Sequence, residues 1–169
     1  MELLADENKG NKYIFCIIDV LSKYAWCVPI KNKSAATILN ALKSVIEKSG
    51  RRPDKIWVDK GSEFYNKDFK NWAKSNNITI YSTYSESKSV VAESFIKTIK
   101  TKIQKYFTQT NSRNWVDVLP KIVSDYNNHV HSTIKMTPAL ASKPENEVRA
   151  YINYMKSHDE SKQLRSGAY

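Results

Sequence analysis

Near the N-terminus, the pattern of hydrophobic and polar positions is typical of β-strands. Residues 13–20 and 24–30 are apolar runs rich in β-branched and aromatic side chains, and residues 21–23 form a short break between them. Such runs are typical of β-strands, and a break of this length is typical of a hairpin turn. The pattern therefore predicts two neighbouring strands.

The next segment has helical spacing. Its apolar positions repeat every three or four residues, at Ile38, Leu42 and Val45. Ser34 precedes the repeat as a capping residue, and Gly50 follows it as a residue that commonly ends a helix. An amphipathic helix over residues 34–49 is predicted.

Strand and helix signals then alternate. Residues 55–58 and 78–81 are short apolar runs typical of strands, on either side of a short helix marked by Phe69. This alternation favours an α/β domain. Asp59 directly follows the first of these strands, and the Ser-rich residues 82–88 are predicted to form a mobile loop.

Two longer helices are predicted in the second half of the chain, over residues 89–107 and 112–131. Pro120 lies inside the second helix and is expected to kink it. We expect one compact domain over residues 1–142, followed by a polar and loosely ordered C-terminal extension over residues 143–169.

The composition of the chain indicates which binding partners and which cellular compartment to expect. The 169-residue chain has a formal net charge of +10, which favours binding to nucleic acid, although many basic proteins bind none. Cys16 and Cys27 lie in the predicted strands, as expected for buried thiols in a reducing compartment. Without an apolar run of about 20 residues or a signal peptide, an intracellular protein with no membrane partner is expected. The histidines lack the spacing of a zinc site and are interpreted as structural or surface residues. They are His129, His131 and His158.

Two acids are candidate metal ligands. Asp59 ends a predicted strand and Glu93 lies near the start of a long helix, so their side chains can converge from different elements. Carboxylates are preferred ligands of Mg²⁺, which supports phosphodiester displacement by holding the attacking and leaving oxygens. Each acid also has an ordinary interpretation, because Asp59 suits a turn and Glu93 suits the positive end of a helix dipole.

Helix geometry adds two bases to this set. At about 100° per residue, Glu93, Lys97 and Lys100 share one face, opposite an apolar stripe that includes Phe95 and Ile99. On this face Glu93 can hold a metal ion while the lysines contact DNA phosphates. A solvated face with an i,i+4 pair between Glu93 and Lys97 explains the same pattern.

Residues 58–64, Val-Asp-Lys-Gly-Ser-Glu-Phe, resemble the Asp-Asn-Gly-x-Glu-Phe signature of retroviral-type integrases of the D,D,E superfamily. Glu93 then resembles the third acid of their triad, and Trp115 and Asn127 resemble downstream family positions. Residues 18–26 look most like the integrases of Maverick (Polinton) DNA transposons. The resemblance covers about residues 9–142.

The resemblance implies a ribonuclease H-like α/β fold with a mixed central sheet flanked by helices. It implies an integrase or transposase catalytic core, an endonuclease and polynucleotidyl transferase that cuts element ends and joins them to target DNA. Asp59 and Glu93 become the catalytic ligands of Mg²⁺ (or Mn²⁺), and Lys97 and Lys100 become DNA contacts. A homo-oligomer that acts in the nucleus is expected.

In the family, the first acid of the triad lies on the opening strand. Matching Asn8-Lys9-Gly10 to the family puts that acid before Met1, so the opening strand is expected to be truncated. Asp19 corresponds to a family Asp that is not a metal ligand, and Asp6 lies in the presumed turn.

Other departures from the family pattern are Lys60 in place of Asn and Ser94 in place of Arg, and some loss of activity is expected from them. Two alternatives therefore stay open. One is an inactive, integrase-derived remnant that binds DNA or a partner subunit. The other is a ribonuclease H-type hydrolase that cleaves RNA–DNA hybrids.

Overall fold

The computed structural model describes residues 4–59, 61, 63–82 and 86–166, without the side chains of 86–89 and 160–166. The chain divides into two compact units, one of Met1–Cys16 with Cys27–Asp117 and one of Ile17–Trp26 with Val118–Tyr169. The strands are β1 (Tyr13–Ile18), β2 (Ala25–Ile30), β3 (Lys55–Trp57) and β4 (Thr79–Tyr81). The helices are α1 (Ala35–Ser49), α2 (Lys67–Ser75), α3 (Glu86–Thr110), α4 (Leu119–Asn127), α5 (Pro138–Ala141) and α6 (Glu147–Ser166).

The predicted hairpin is confirmed. β1 and β2 are neighbours. The backbone N–H of Lys12 donates to the carbonyl of Ile30 at 3.0 Å, and that of Asp19 donates to Tyr24 at 2.8 Å. These two hydrogen bonds close opposite ends of an antiparallel pair.

α1 begins and ends where its capping residues predict. The Ser34 side chain accepts a hydrogen bond from the N–H of Thr37, and Gly50 adopts a left-handed conformation with φ of 65°. Because glycine has no Cβ, this conformation costs it little.

The predicted strands 55–58 and 78–81 are confirmed as β3 and β4, which pair in parallel. α2 connects them, with Phe69 and Ala73 buried. The first unit thus has the alternating strand and helix order expected of an α/β domain.

α3 is longer than predicted. It begins at Glu86, so the loop prediction for residues 82–88 is wrong for 86–88, while 83–85 lie outside the described residues. Polar residues suit an exposed helical turn as well as a loop, which is why composition misplaced this boundary. The helix ends at Thr110, and Asn111 adopts a left-handed φ of 53°.

The helix predicted over residues 112–131 is too long at both ends, because α4 spans only Leu119–Asn127. α4 begins only at Leu119, and Pro120 lies in its first turn. A proline there removes no helical hydrogen bond, because the first N–H groups of a helix have no partner within it. Pro120 therefore marks the start of α4 and does not kink it.

The segment before α4 is held by a buried side chain from the N-terminal turn. Asn8 is fully buried; its Oδ1 accepts the N–H groups of Trp115 at 2.7 Å and Val116 at 3.1 Å. Its Nδ2 donates to the carbonyls of Leu4 at 2.7 Å and Arg113 at 3.0 Å. These hydrogen bonds satisfy backbone N–H and carbonyl groups that would be paired within a helix if the segment were helical.

The second unit is built around α4 and α6. Asn127 of α4 forms two 2.9 Å hydrogen bonds with Ala25, accepting its N–H and donating to its carbonyl. Ala150 of α6 is fully buried in a cluster with Ile134 and Met136. The expectation of a loosely ordered extension is therefore wrong for the packed part of α6. No described helix has the length and apolar character needed to cross a membrane.

Candidate active site

Asp59 lies just beyond the carboxyl end of β3. Trp57 of β3 pairs with Tyr81 of β4, and the N–H of Val58 donates to the carbonyl of Tyr81 at 3.1 Å. Val58 is buried and Asp59 is exposed. The pairing therefore fixes the backbone directly before Asp59 and leaves its carboxylate open to solvent at the edge of the sheet.

The loop after Asp59 is shaped by Gly61 and Glu63. Oδ1 of Asp59 accepts the N–H of Gly61 at 3.0 Å. The carboxylate of Glu63 lies over Gly61, so close that a Cβ there would be 2.5 Å from Oε2. Glu63 thus brings a second carboxylate into the Asp59 loop. Glu63 is part of the signature at residues 58–64, but the sequence alone indicated no role for it.

α3 presents the other three predicted residues on its exposed face. Glu93, Lys97 and Lys100 are all exposed. The opposite stripe is buried and consists of Phe95, Ile99 and Ile103. Burial of this stripe fixes the rotation of α3 about its axis, so the acid and the two lysines face solvent together.

The carboxyl ends of β3 and β4 lie at one edge of their sheet, and Asp59 is two residues beyond the end of β3. Parallel strands end at the same edge, so the chain leaves β4 beside Asp59 and enters α3 at Glu86. Glu93 is seven residues into α3, about 10 Å along its axis. Lys60, Ser62 and residues 83–85 lie outside the described residues.

Cys16 and Cys27 form a pair of thiols, and the charge of Lys100 affects the pKa of Cys16. Sγ of Cys16 and Sγ of Cys27 are 3.6 Å apart on neighbouring strands. The hydrogen bond from Cys27 lowers the pKa of Cys16 against the effect of burial, and the charge of Lys100 lowers it further. The same hydrogen bond and burial raise the pKa of Cys27. Cys16 is therefore the more acidic thiol of the pair.

Asp19 and Asp6, the two other acids named in the sequence analysis, lie in or beside turns. Oδ1 of Asp19 accepts hydrogen bonds from the N–H and the hydroxyl of Ser22 at 2.6 and 2.8 Å, which stabilises the hairpin turn. Asp6 is exposed in a short 3-10 turn.

His131 accepts the N–H of Thr133 through Nδ1 at 3.2 Å. In the described part of the chain, no three His, Cys, Asp or Glu side chains are grouped as metal ligands.

The family model for the integrase core domain matches residues 2–87. The chain belongs to the integrase core domain family. A transposon-derived protein of Caenorhabditis elegans is 33% identical over 132 residues, which are 78% of this chain and 46% of that protein. The chain thus spans about half the length of this relative. The match of the family model includes Asp59 and ends before Glu93, so the role of Glu93 depends on its position in α3.

Two solved integrases share the fold. The HTLV-2 integrase catalytic core domain in complex with magnesium, in a trimeric form, superimposes with a TM-score of 0.66 at 18% identity, covering 75% of this chain and 82% of that chain. The simian T-cell lymphotropic virus intasome in complex with PP2A regulatory subunit B56 gamma gives a TM-score of 0.68 at 19% identity, covering 78% and 53%. These similarities confirm the ribonuclease H-like fold. The likeness to Maverick integrases stays a prediction.

Proposed function

We propose that this integrase core domain carries out metal-dependent cleavage and strand transfer at DNA phosphodiesters, with Asp59 and Glu93 as the metal-binding carboxylates. The observation that carries the proposal is the exposed row of Glu93, Lys97 and Lys100 on α3, the helix that the chain enters from the sheet edge at Asp59. An acid followed by bases suits a metal ion beside a phosphate backbone.

The two carboxylates fit a hard divalent cation. Asp59 uses Oδ1 to accept the N–H of Gly61, which orients the group and leaves Oδ2 for a metal ion. Neither Asp59 nor Glu93 forms an ion pair with another described residue. Mg²⁺ or Mn²⁺, when bound, stabilises negative charge on the phosphodiester and activates the attacking oxygen. The magnesium complex of the HTLV-2 core supports this choice of cofactor.

Lys97 and Lys100 are proposed to contact the phosphates of the DNA that is cut or joined. Both are exposed on the face that also carries Glu93, and the net charge of +10 favours DNA over the whole molecule. Element ends and target DNA are the proposed substrates, a homo-oligomer is the proposed working form, and the nucleus is the proposed location.

The test is a strand-transfer assay on labelled element-end DNA with Mg²⁺ or Mn²⁺. Two chains are compared, the 169-residue chain and the same chain extended at its N-terminus by a strand that contains an aspartate. In the active chain, Asp59→Asn and Glu93→Gln are expected to reduce product by roughly 100-fold or more. Asp54→Asn is the matched control, because Asp54 is exposed at the other end of β3. Full activity of Glu93→Gln would contradict the assignment.

The same assay separates the alternatives. DNA binding by both chains without any nicking identifies a remnant that binds DNA without cutting it, whereas strand transfer by the 169-residue chain alone excludes that interpretation. Cleavage of RNA–DNA hybrids without strand transfer identifies a ribonuclease H-type hydrolase.

A further inference from the structure

β1 and β2 bring the two cysteines of the chain into contact. Sγ of Cys16 and Sγ of Cys27 are 3.6 Å apart, and both side chains are half-buried. The 169-residue chain contains no other cysteine. Any disulfide within one molecule must therefore join these two residues.

The backbone of the hairpin places the two cysteines opposite each other. The N–H of Asp19 donates to the carbonyl of Tyr24, so these two residues form a hydrogen-bonded pair. Three steps back from Asp19 and three steps forward from Tyr24 lead to the cysteines. Hydrogen-bonded and non-hydrogen-bonded pairs alternate in an antiparallel ladder, so Cys16 and Cys27 are a non-hydrogen-bonded pair. Ala25 fits this alternation, because both of its backbone groups bond to a side chain of α4.

This kind of pair suits a disulfide. The Cα atoms of a non-hydrogen-bonded pair are generally about 4.5 Å apart, which lies at the short end of the range of about 4.4–6.8 Å that disulfides span. The sulfurs must approach from 3.6 Å to the bond length of about 2.05 Å. Rotation about the Cα–Cβ bonds can bring them together without a shift of either strand.

The two thiols differ in reactivity. The hydrogen bond from Cys27, aided by the charge of Lys100, holds the pKa of Cys16 below its ordinary value. The same hydrogen bond and burial raise the pKa of Cys27. Because the thiolate is the form that attacks a peroxide, Cys16 is the attacking thiol and Cys27 is the resolving thiol. A cysteine of low pKa beside a second cysteine is the usual arrangement of a redox-sensing pair.

We propose that Cys16 and Cys27 form a redox-modification site, at which a hydroperoxide produces a cross-strand disulfide that a low-molecular-weight thiol reduces again. Sγ of Cys16 attacks one peroxide oxygen and becomes a sulfenic acid, while the O–O bond breaks and the leaving oxygen takes a proton from solvent. Sγ of Cys27 then attacks Sγ of Cys16, the S–O bond breaks, and the hydroxyl group leaves as water with the proton of the Cys27 thiol. Two electrons thus pass from the thiols to the peroxide. The proposal uses neither Asp59 nor Glu93, so it goes beyond the catalytic proposal and does not depend on it.

Peptide mass spectrometry tests the site. The 169-residue chain is treated with hydrogen peroxide in dilute solution, and its remaining thiols are then blocked. Trypsin cleaves after Lys23, so the cysteines lie in separate peptides, residues 13–23 and 24–31. In the treated monomer these peptides are expected to stay joined, and dithiothreitol is expected to separate them. Two free thiols, a sulfinic acid at Cys16 without a link, or links between molecules alone would overturn the proposal.

Two single variants assign the roles of the thiols at mildly alkaline pH. Cys27→Ala removes the resolving thiol, so Cys16 is expected to stop at the sulfenic acid, which dimedone traps. In Cys16→Ala burial still raises the pKa of Cys27, so oxidation is expected to be roughly 10-fold slower than in the wild-type chain. A wild-type rate in Cys16→Ala would overturn the assignment, as would the absence of the dimedone adduct in Cys27→Ala. Circular dichroism confirms that each variant is folded.

Discussion

Gly61 donates its backbone N–H to the carboxylate of Asp59 at 3.0 Å, and a Cβ at position 61 would meet the end of the Glu63 side chain. The carboxylate oxygens of Glu63 would lie 2.5 and 2.8 Å from that Cβ, so this flexible side chain would have to move. Three residues of the signature are thus linked physically, since the glycine both orients the proposed metal ligand and accommodates Glu63.

This contact makes the effect of Gly61→Ala depend on Glu63. In the wild-type background the substitution is expected to lower the free energy of unfolding by about 1 kcal/mol, because the carboxylate must move. In a Glu63→Ala background it is expected to be neutral or to stabilise by about 0.5 kcal/mol, because alanine reduces the entropy of the unfolded chain. Urea unfolding of the four proteins measures the coupling. Equal effects in both backgrounds would argue against the contact.

The lysines of α3 are expected to set part of the salt dependence of DNA binding. Lys97→Ala and Lys100→Ala should each weaken binding to duplexes of any sequence and reduce the slope of log K against log salt by about 0.9. Lys102→Ala is the control, because this residue is rotated about 140° from Lys97 on the same helix. Fluorescence anisotropy from about 50 to 200 mM salt gives the slopes. An equal loss for Lys102→Ala would show general charge attraction instead of a contact face.

The opposite pKa shifts of Cys16 and Cys27 predict which of the two thiols is alkylated first. The pKa of Cys16 is lowered chiefly by its hydrogen bond with Cys27, so alkylation by iodoacetamide should modify Cys16 at lower pH than Cys27. Cys27→Ala removes the hydrogen bond that stabilises the thiolate and leaves burial, which raises the pKa. The midpoint of the rate–pH profile of Cys16 should therefore move to higher pH. Lys100→Ala should move it in the same direction.

Peptide mass spectrometry after timed alkylation resolves the two cysteines. Cys16→Ala is the reciprocal control: it removes the hydrogen bond and the charge that raise the pKa of Cys27, so Cys27 should react at lower pH than in the wild-type protein. An unchanged Cys16 profile in Cys27→Ala would show that the two thiols do not interact in solution.

Asn8 is expected to be one of the most sensitive polar positions of the first unit. Asn8→Ala leaves the N–H groups of Trp115 and Val116 without their acceptor, in a site from which water is excluded. A loss of about 3 kcal/mol in the free energy of unfolding is expected. Asn11→Ala, which removes one half-buried hydrogen bond to the carbonyl of Asn8, should cost under about 1 kcal/mol and is the control. Similar losses for both variants would contradict the role given to Asn8.

The wrong start of the helix predicted over residues 112–131 has a long-range cause. The apolar spacing of Trp115, Leu119 and Ile122 was interpreted as one helix, and all three side chains are buried, yet only the last two lie in α4. Trp115 is buried by an irregular segment whose hydrogen bonds come from Asn8, 107 residues earlier in the chain. Nothing in the local pattern distinguishes that arrangement from a helical turn.

What the sequence by itself determined was local: the hairpin from its apolar runs, α1 from Ser34 and Gly50, and the strand that ends before Asp59. Capping and apolar periodicity act within a few residues, so the chain records them directly. The tertiary structure alone decided the placement of Glu63 over Gly61 and the thiol contact. These depend on which residues meet after folding, and such contacts leave no periodic signal in the sequence.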